Sequence, residues 1–281
     1  MGTLFVVGTP IGNLEDLTVR AARVLGQVQL VAAEDTRVTR RLLSHLGIRV
    51  SLVSYHEHNQ RARIPQLLEA LESGDVALVS DAGMPAVSDP GSDLVSSAAA
   101  AGFRVEPVPG VSALTTALAA SGLTADAFLF LGFLPRRSKE RRQCLRAASS
   151  LPLTLVAFEA PHRLRATLRD MLEELGDREA AVCRELTKLH EEVFRGLLSQ
   201  AVEHFQAPLG ELVLVVQGAP EEASPASPPP AQLEEARQQL SRLRGARTRA
   251  KEAVAQVAGS LDLPKNTVYR LWLETARRDQ G

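Results

Sequence analysis

The chain has 281 residues, enough for about two domains that each bury a core without disulfides or a structural metal. Hydrophobic residues make up 45% and charged residues 23%, which excludes wholesale disorder and fibrous repeats, and no run approaches the roughly 20 apolar residues that span a bilayer. The net charge of −1 hides a partition: residues 1–231 hold 22 Lys and Arg against 27 Asp and Glu, whereas residues 232–281 hold 10 against 6, so a basic tail follows an acidic body.

In chain order, short apolar runs predict strands over 4–7, 30–33, 51–54, 76–79 and 104–107. Helical patterns separate them over 17–25, 37–46, 64–71 and 93–101, which is the signature of strand-helix-strand units and a mainly parallel sheet. A second series of strands is expected over 128–131, 153–158, 179–184, 192–195 and 210–216. Too little chain separates some of these for crossovers, so the second sheet should be mixed. The expected division is an α/β domain over 1–121, a second over 122–218, a Pro-rich linker over 219–231 and a basic helical domain over 232–281. Five of the sixteen prolines fall in that linker. Helices are expected over 233–243, 247–257 and 264–273. The last two, with the turn between them, read as helix-turn-helix-like, or as a small three-helix bundle that packs only against protein. Cys144 and Cys183 lie far apart without metal-ligand spacing and read as reduced thiols. The first residues lack a basic leader and long apolar block, so a cytoplasmic location is expected.

The loops after the strands carry the chemistry, because ligands gather at the carboxyl ends of strands in open α/β sheets. GTPIGN (8–13) fits neither the dinucleotide fingerprint nor a phosphate loop, and alone is equally a tight turn. EDTR (34–37) sets Glu34 and Asp35 at a strand end, where they either orient a hydroxyl or cap the next helix. SYHEHNQ (54–60) groups His56, Glu57 and His58, but lacks the further ligands a metal site needs, so no metal is expected. SDAGMPAVSDPG (80–91) exposes backbone groups to close approach at its glycines, and PGVSA (109–113) repeats the device. Basic clusters at 136–146 and 242–251 are either phosphate contacts or solvated helix faces.

With GFLPR (132–136), FEAPHR (158–163), RELTKLHEE (184–192) and GELVLVV (210–216) in the same order, these segments resemble the tetrapyrrole methylase superfamily, and within it the branch that methylates ribosomal RNA. Met84 departs from the pattern, standing where a small residue is usual. The resemblance implies two α/β domains of that type with a small C-terminal helical domain, S-adenosylmethionine in the cleft between them, and a homodimer. It also implies 2′-O-ribose methylation of a decoding-centre cytidine of 16S rRNA within the 30S subunit. Carried over by motif, the cofactor would touch Pro10, Ser80, Asp81, Ala82, Gly83, Pro85, Val87, Ser112 and Ala113. From the second half it would meet Phe158, Glu159, Glu185, Leu186, Gly210, Glu211 and Leu212. A ribose hydroxyl needs a proton acceptor, for which the candidates are Asp35 first, with Glu34, then His56 and His162. RNA contacts are expected from Arg37, Arg136, Arg137, Arg163 and Lys188, and from Arg247, Arg249 and Arg270 in the tail. The alternatives are a tetrapyrrole or modified protein side chain as acceptor, or a non-catalytic RNA-binding assembly factor.

Overall fold

The computed structural model describes residues 1–220, 229–245, 248, 250–261, 263, 267–269 and 271–272. It divides into two compact units, Met1–Gly218 and Ala219–Gly281.

In the first unit, β1 (Thr3–Val7), β2 (Leu30–Ala33), β3 (Ser51–Ser54), β4 (Val76–Val79) and β5 (Arg104–Val108) form one wholly parallel sheet in the order β3-β2-β4-β1-β5. The central β4 is buried along its whole length, as expected of a strand covered on both faces. The crossovers are α1 (Val19–Leu25), α2 (Thr36–His45), α3 (Gln60–Ser73) and α4 (Ser92–Ala100), and α5 (Ala113–Ser121) leads away from β5. Thr18 caps α1 by accepting from Ala21 N–H (3.1 Å), and Asp35 caps α2 by accepting from Arg37 N–H (2.8 Å). Helix α3 starts four residues before the sequence reading placed it. Asn59 turns the chain there by accepting from His56 N–H and donating to Ser54 C=O, and Pro65 lies inside the helix instead of opening it.

The second sheet is mixed: β6 (Phe128–Phe133), β7 (Thr154–Glu159), β10 (Leu212–Val216), β8 (Glu179–Arg184) and β9 (Glu192–Leu197), in that order. Only β6 and β7 are parallel. Helices α6 (Ser138–Ala148), α7 (Leu164–Leu175) and α8 (Leu198–His204) cover one face, over a core that includes Leu145, Leu164, Leu168 and Leu214. The other face packs on α5 through Val156, Ala181, Val213 and Ala117, so α5 joins the two sheets. No helix among the described residues is long and apolar enough to cross a membrane.

The second unit holds α9 (Pro230–Gly245) and α10 (Ala250–Ser260), with helical residues again at 267–269 and 271–272. Leu240, Val257, Val268 and Trp272 make its own core, and the Arg244 guanidinium stacks 4.7 Å above the Trp272 ring. Helix α9 begins inside the stretch read as linker, most of which lies outside the described residues.

Candidate active site

Three loops at the carboxyl end of the parallel sheet are tied together by backbone. Gly8 N–H donates to Val108 C=O (3.0 Å), and Thr9 and Gly83 exchange hydrogen bonds of 2.9 and 3.1 Å. The loops after β1 and β5 touch through glycine: a Cβ on Gly8 would lie 2.7 Å from the Cα of Gly110, so any side chain there would part the loops. The loop after β4 holds Ala86 and Ser88 at φ 67° and 63°, a conformation that strains L-residues and concentrates at functional sites.

Between these loops and the second sheet lies a cavity of about 390 Å³, within the range of small-molecule sites. Of the residues expected at a cofactor, Asp81, Ala82, Gly83, Val87, Ser112 and Ala113 line it from the first half. From the second half come Phe158, Glu159, Leu186, Glu211 and Leu212. Pro10 and Ser80 line an adjoining cavity of about 450 Å³ instead, which shares Ile11, Asp81, Ala82 and Glu211 with the first. Pro85 is buried and lines neither cavity. Glu185 accepts from Glu211 N–H (2.9 Å) and pairs with Lys188, and Gly210 packs directly against the Glu185 side chain, so these two support the wall from behind.

Among the residues on the wall of the 390 Å³ cavity that the sequence reading missed are Ile11, Asp89, Phe133, Cys183 and Val213. Phe133 comes from a strand that runs two residues beyond its expected end. The register shifts between Phe130 and Phe133, and Gly132 sits at φ 61° beside Ser88, which turns the ring toward Phe158 at 5.5 Å between centroids. Cys183 is buried, and burial pushes its thiol up to about 11, so it is an inert part of the wall. Nothing in the sequence marked it, because β8 and β10 are buried on both faces and show no alternation to say which side looks into the cavity.

The carboxylates differ sharply in their surroundings. Asp35 caps α2 and is gripped by the Arg37 guanidinium at 2.6–3.1 Å. The Arg37 hydrogen bonds hold its carboxyl down at about 2, which makes it a poor proton acceptor. Glu34 faces the cavity and its carboxylate accepts, among the described residues, one hydrogen bond, from Asp81 N–H (3.3 Å), and burial raises its pKa above the usual carboxylate value. Asp81 accepts from Asp35 N–H (2.9 Å) and is also raised by burial. Asp89 is raised to about 6, first by burial and then by the charge of Glu34. Among the described residues, no cation bonds to Glu34, Asp81 or Asp89. Glu159, by contrast, is fully buried and satisfied by Ala160 N–H (2.8 Å), Thr167 Oγ1 (2.5 Å) and Arg163.

His56 is half-buried and His162 exposed, and His56 and His58 meet edge to face at 5.9 Å. No group of three His, Cys, Asp or Glu among the described residues could hold a metal. The expected RNA contacts divide in the same way as the carboxylates. Arg163 is committed to Glu159 and to Leu134 C=O (2.6 Å), Lys188 to Glu185 and Glu211, and Arg37 to Asp35. In the cluster at 136–146, Arg141 is buried against Asp170, Arg142 pairs with Asp170 and Glu173, and Arg146 pairs with Glu174. Arg136 and Arg137 are exposed, Arg137 within 3.3 Å of Glu140. Arg247, Arg249 and Arg270 lie outside the described residues.

The family model for Tetrapyrrole (Corrin/Porphyrin) Methylases matches residues 3–202. The chain belongs to the tetrapyrrole methylase family. Within the family, it is 47% identical over 274 residues to the ribosomal RNA small subunit methyltransferase I of Halalkalibacterium halodurans, covering 96% of this chain and 94% of the relative. It is 51% identical to the protein of the same name from Thermotoga maritima, over 78% of this chain and 99% of the relative. Among solved family structures, uroporphyrin-III C-methyltransferase of Thermus thermophilus, complexed with S-adenosylhomocysteine, matches with a TM-score of 0.56 and 25% identity, over 76% of this chain and 97% of that one. Diphthine synthase, at 18% identity and a TM-score of 0.60 over 79% of this chain and 99% of that one, shares the fold.

Proposed function

We propose that this chain transfers the methyl group of S-adenosylmethionine to the ribose 2′-hydroxyl of a cytidine in 16S rRNA, with Glu34 as the proton acceptor. Its relatives' names support a methyltransferase acting on small-subunit ribosomal RNA, and the family supports S-adenosylmethionine. The observation that carries the reading is a cavity with apolar walls that also holds Glu34, Asp81 and Asp89, which bond to no cation among the described residues, with Asp81 shared by a second cavity.

The cavity suits the cofactor in size and chemistry. Ala82, Ala113, Phe158 and Val213 offer apolar walls to a purine, and Asp81, Asp89 and Glu211 offer oxygens to a cation. When bound, S-adenosylmethionine supplies an electrophilic methyl on a positively charged sulfur. The chain's own task is to place and deprotonate the acceptor. A 2′-hydroxyl ionises far above neutrality, so its attack needs a group that takes the proton as the new O–C bond forms. Asp35 was the first choice from sequence, but its bonds to Arg37 lower its affinity for a proton. Glu34, beside it, has its pKa raised by burial and so holds a proton more readily than an ordinary carboxylate, and it stands next to Asp81, which lines both cavities. His56 lies near enough to Glu34 to favour its charged form. The 450 Å³ cavity then receives the acceptor nucleotide, holding the hydroxyl toward Asp81 and Glu34.

We take residues 1–121 and 122–218 as the two domains that wall the cleft, in keeping with one sheet in each, and 219–231 and 232–281 as linker and basic helical domain. The same reading makes the enzyme a cytoplasmic homodimer acting on assembled 30S subunits, and leaves Arg136 and Arg137 as exposed RNA contacts. Digestion of 30S subunits treated with the chain and isotope-labelled S-adenosylmethionine, followed by nucleoside mass spectrometry, tests it. Labelled 2′-O-methylcytidine is the expected product; label on a base, or in protein, would overturn the ribose acceptor.

A further inference from the structure

Resting on the reading of the site as an RNA methyltransferase, we propose that α2 and the turn after it form the surface along which the acceptor RNA's phosphate backbone runs, with Arg40, Arg41 and Arg49 as its contacts. Residues 36–56 contain four arginines and no Asp or Glu. One of the four, Arg37, is taken by Asp35. Arg40, Arg41 and Arg49 are exposed, and among the described residues none of them meets a carboxylate.

The helix places these charges where the chemistry needs them. Asp35 caps α2 at the mouth of the cavity, so the helix starts at the site and runs outward from it. Arg41, with Val38 and Leu42, lines the 450 Å³ cavity that adjoins the candidate methyl-transfer cavity. Arg40, about 100° around the helix, borders a separate hollow of about 290 Å³ whose rim it shares with Ser44 and Arg49. A strand whose reacting nucleotide sits in the 450 Å³ cavity can therefore pass over the solvent face of α2 to the 290 Å³ hollow and meet a cation on either side. A polyanion with regularly spaced single charges matches three separate, unpaired guanidiniums better than one compact anion does.

The experiment is filter binding of the full chain to unmodified 30S ribosomal subunits from 50 to 200 mM salt, with S-adenosylhomocysteine present to prevent turnover. R41Q should weaken binding by about three- to tenfold and lower the salt slope by about one, and R40E/R41E/R49E should weaken it by more than about a hundredfold. Charge reversal at two exposed arginines of α7, R165E/R169E, should change it by less than about threefold, and affinity for S-adenosylmethionine should be the same in all variants. If R40E/R41E/R49E binds like the α7 control while the unaltered chain binds and methylates, this surface is not the track and the methyltransferase reading stands. If R40E/R41E/R49E changes the sedimenting mass of the free chain, the surface belongs to a contact between copies and the proposal fails. An unaltered chain that neither binds nor methylates 30S subunits would overturn the reading of the site, and the track with it.

Discussion

On the helices that cover the second sheet, Arg141, Arg142 and Arg146 of α6 are each met by a carboxylate of α7, and the buried Glu159 is met by Arg163 and Thr167. At the carboxyl end of the first sheet, Glu34, Asp81 and Asp89 share one cavity wall, and Arg40 and Arg41 of α2, unlike Arg37, have no acid beside them among the described residues. The two regions are opposite in what they do with charge. Neutralised charge holds helices together and is silent toward ligands. Charge left uncompensated is paid for in repulsion and desolvation, and it marks where the protein faces something else.

The largest expected effect lies in the neutralised region. Asp170 is buried and accepts from Arg141 Nε at 2.7 Å and Arg142 Nε at 2.8 Å, so Asp170→Ala strands a buried guanidinium and should lower stability by about 3–5 kcal/mol in urea unfolding. A loss under about 1 kcal/mol would mean that the pair is not the joint between α6 and α7. The opposite sign is expected in the uncompensated region. Asp89→Asn removes a carboxylate whose charged form is disfavoured by burial and by Glu34, and should raise stability at pH 8 by about 1–2 kcal/mol once solvent screening is allowed for. Because the native pKa of Asp89 is raised, its own contribution is fully present below the unfolded value of 3.8 and is lost as pH rises through about 6. The gain from Asp89→Asn should therefore fade when unfolding is measured at pH 4. The smallest effect sharpens the comparison from the other side: R142Q/R146Q should leave affinity for 30S subunits within about twofold, since both guanidiniums are already bound to α7 carboxylates. A tenfold loss would return α6 to the RNA-binding surface.

The fold was largely legible in the sequence, and the divided fate of the charges was not. Strands 30–33, 51–54 and 76–79 are found where predicted because each is a four-residue run bounded by turn or cap residues. The loops that follow β1, β2, β4 and β5 were recognised by their glycines, prolines and paired acids, and most of the expected cofactor residues line one cavity. The pairing of Arg142 and Arg146 was not legible because their partners lie 28 to 31 residues away on α7, beyond any local pattern. The pairing of Asp35 was hidden for the reverse reason. Its partner is only two residues on, but whether Arg37 turns back to the cap or outward to a ligand depends on side-chain direction, which spacing does not record. Phe133 was hidden by a register shift, and Asp89 by a loop whose backbone conformation at Ala86 and Ser88 has no local sequence signal.

The most direct test of the account is the single-turnover rate of methyl transfer to 30S subunits, measured against pH at saturating S-adenosylmethionine for the unaltered chain, Glu34→Gln and Asp35→Asn. The account predicts that Glu34→Gln slows transfer by about a hundredfold with cofactor affinity kept, and that it abolishes the fall in rate at acid pH set by protonation of a carboxylate above the usual range. It predicts that Asp35→Asn, which can still cap α2, slows transfer by less than about tenfold. A hundredfold loss in Asp35→Asn with Glu34→Gln near the unaltered rate would contradict it, and would assign the proton to the carboxylate that Arg37 holds.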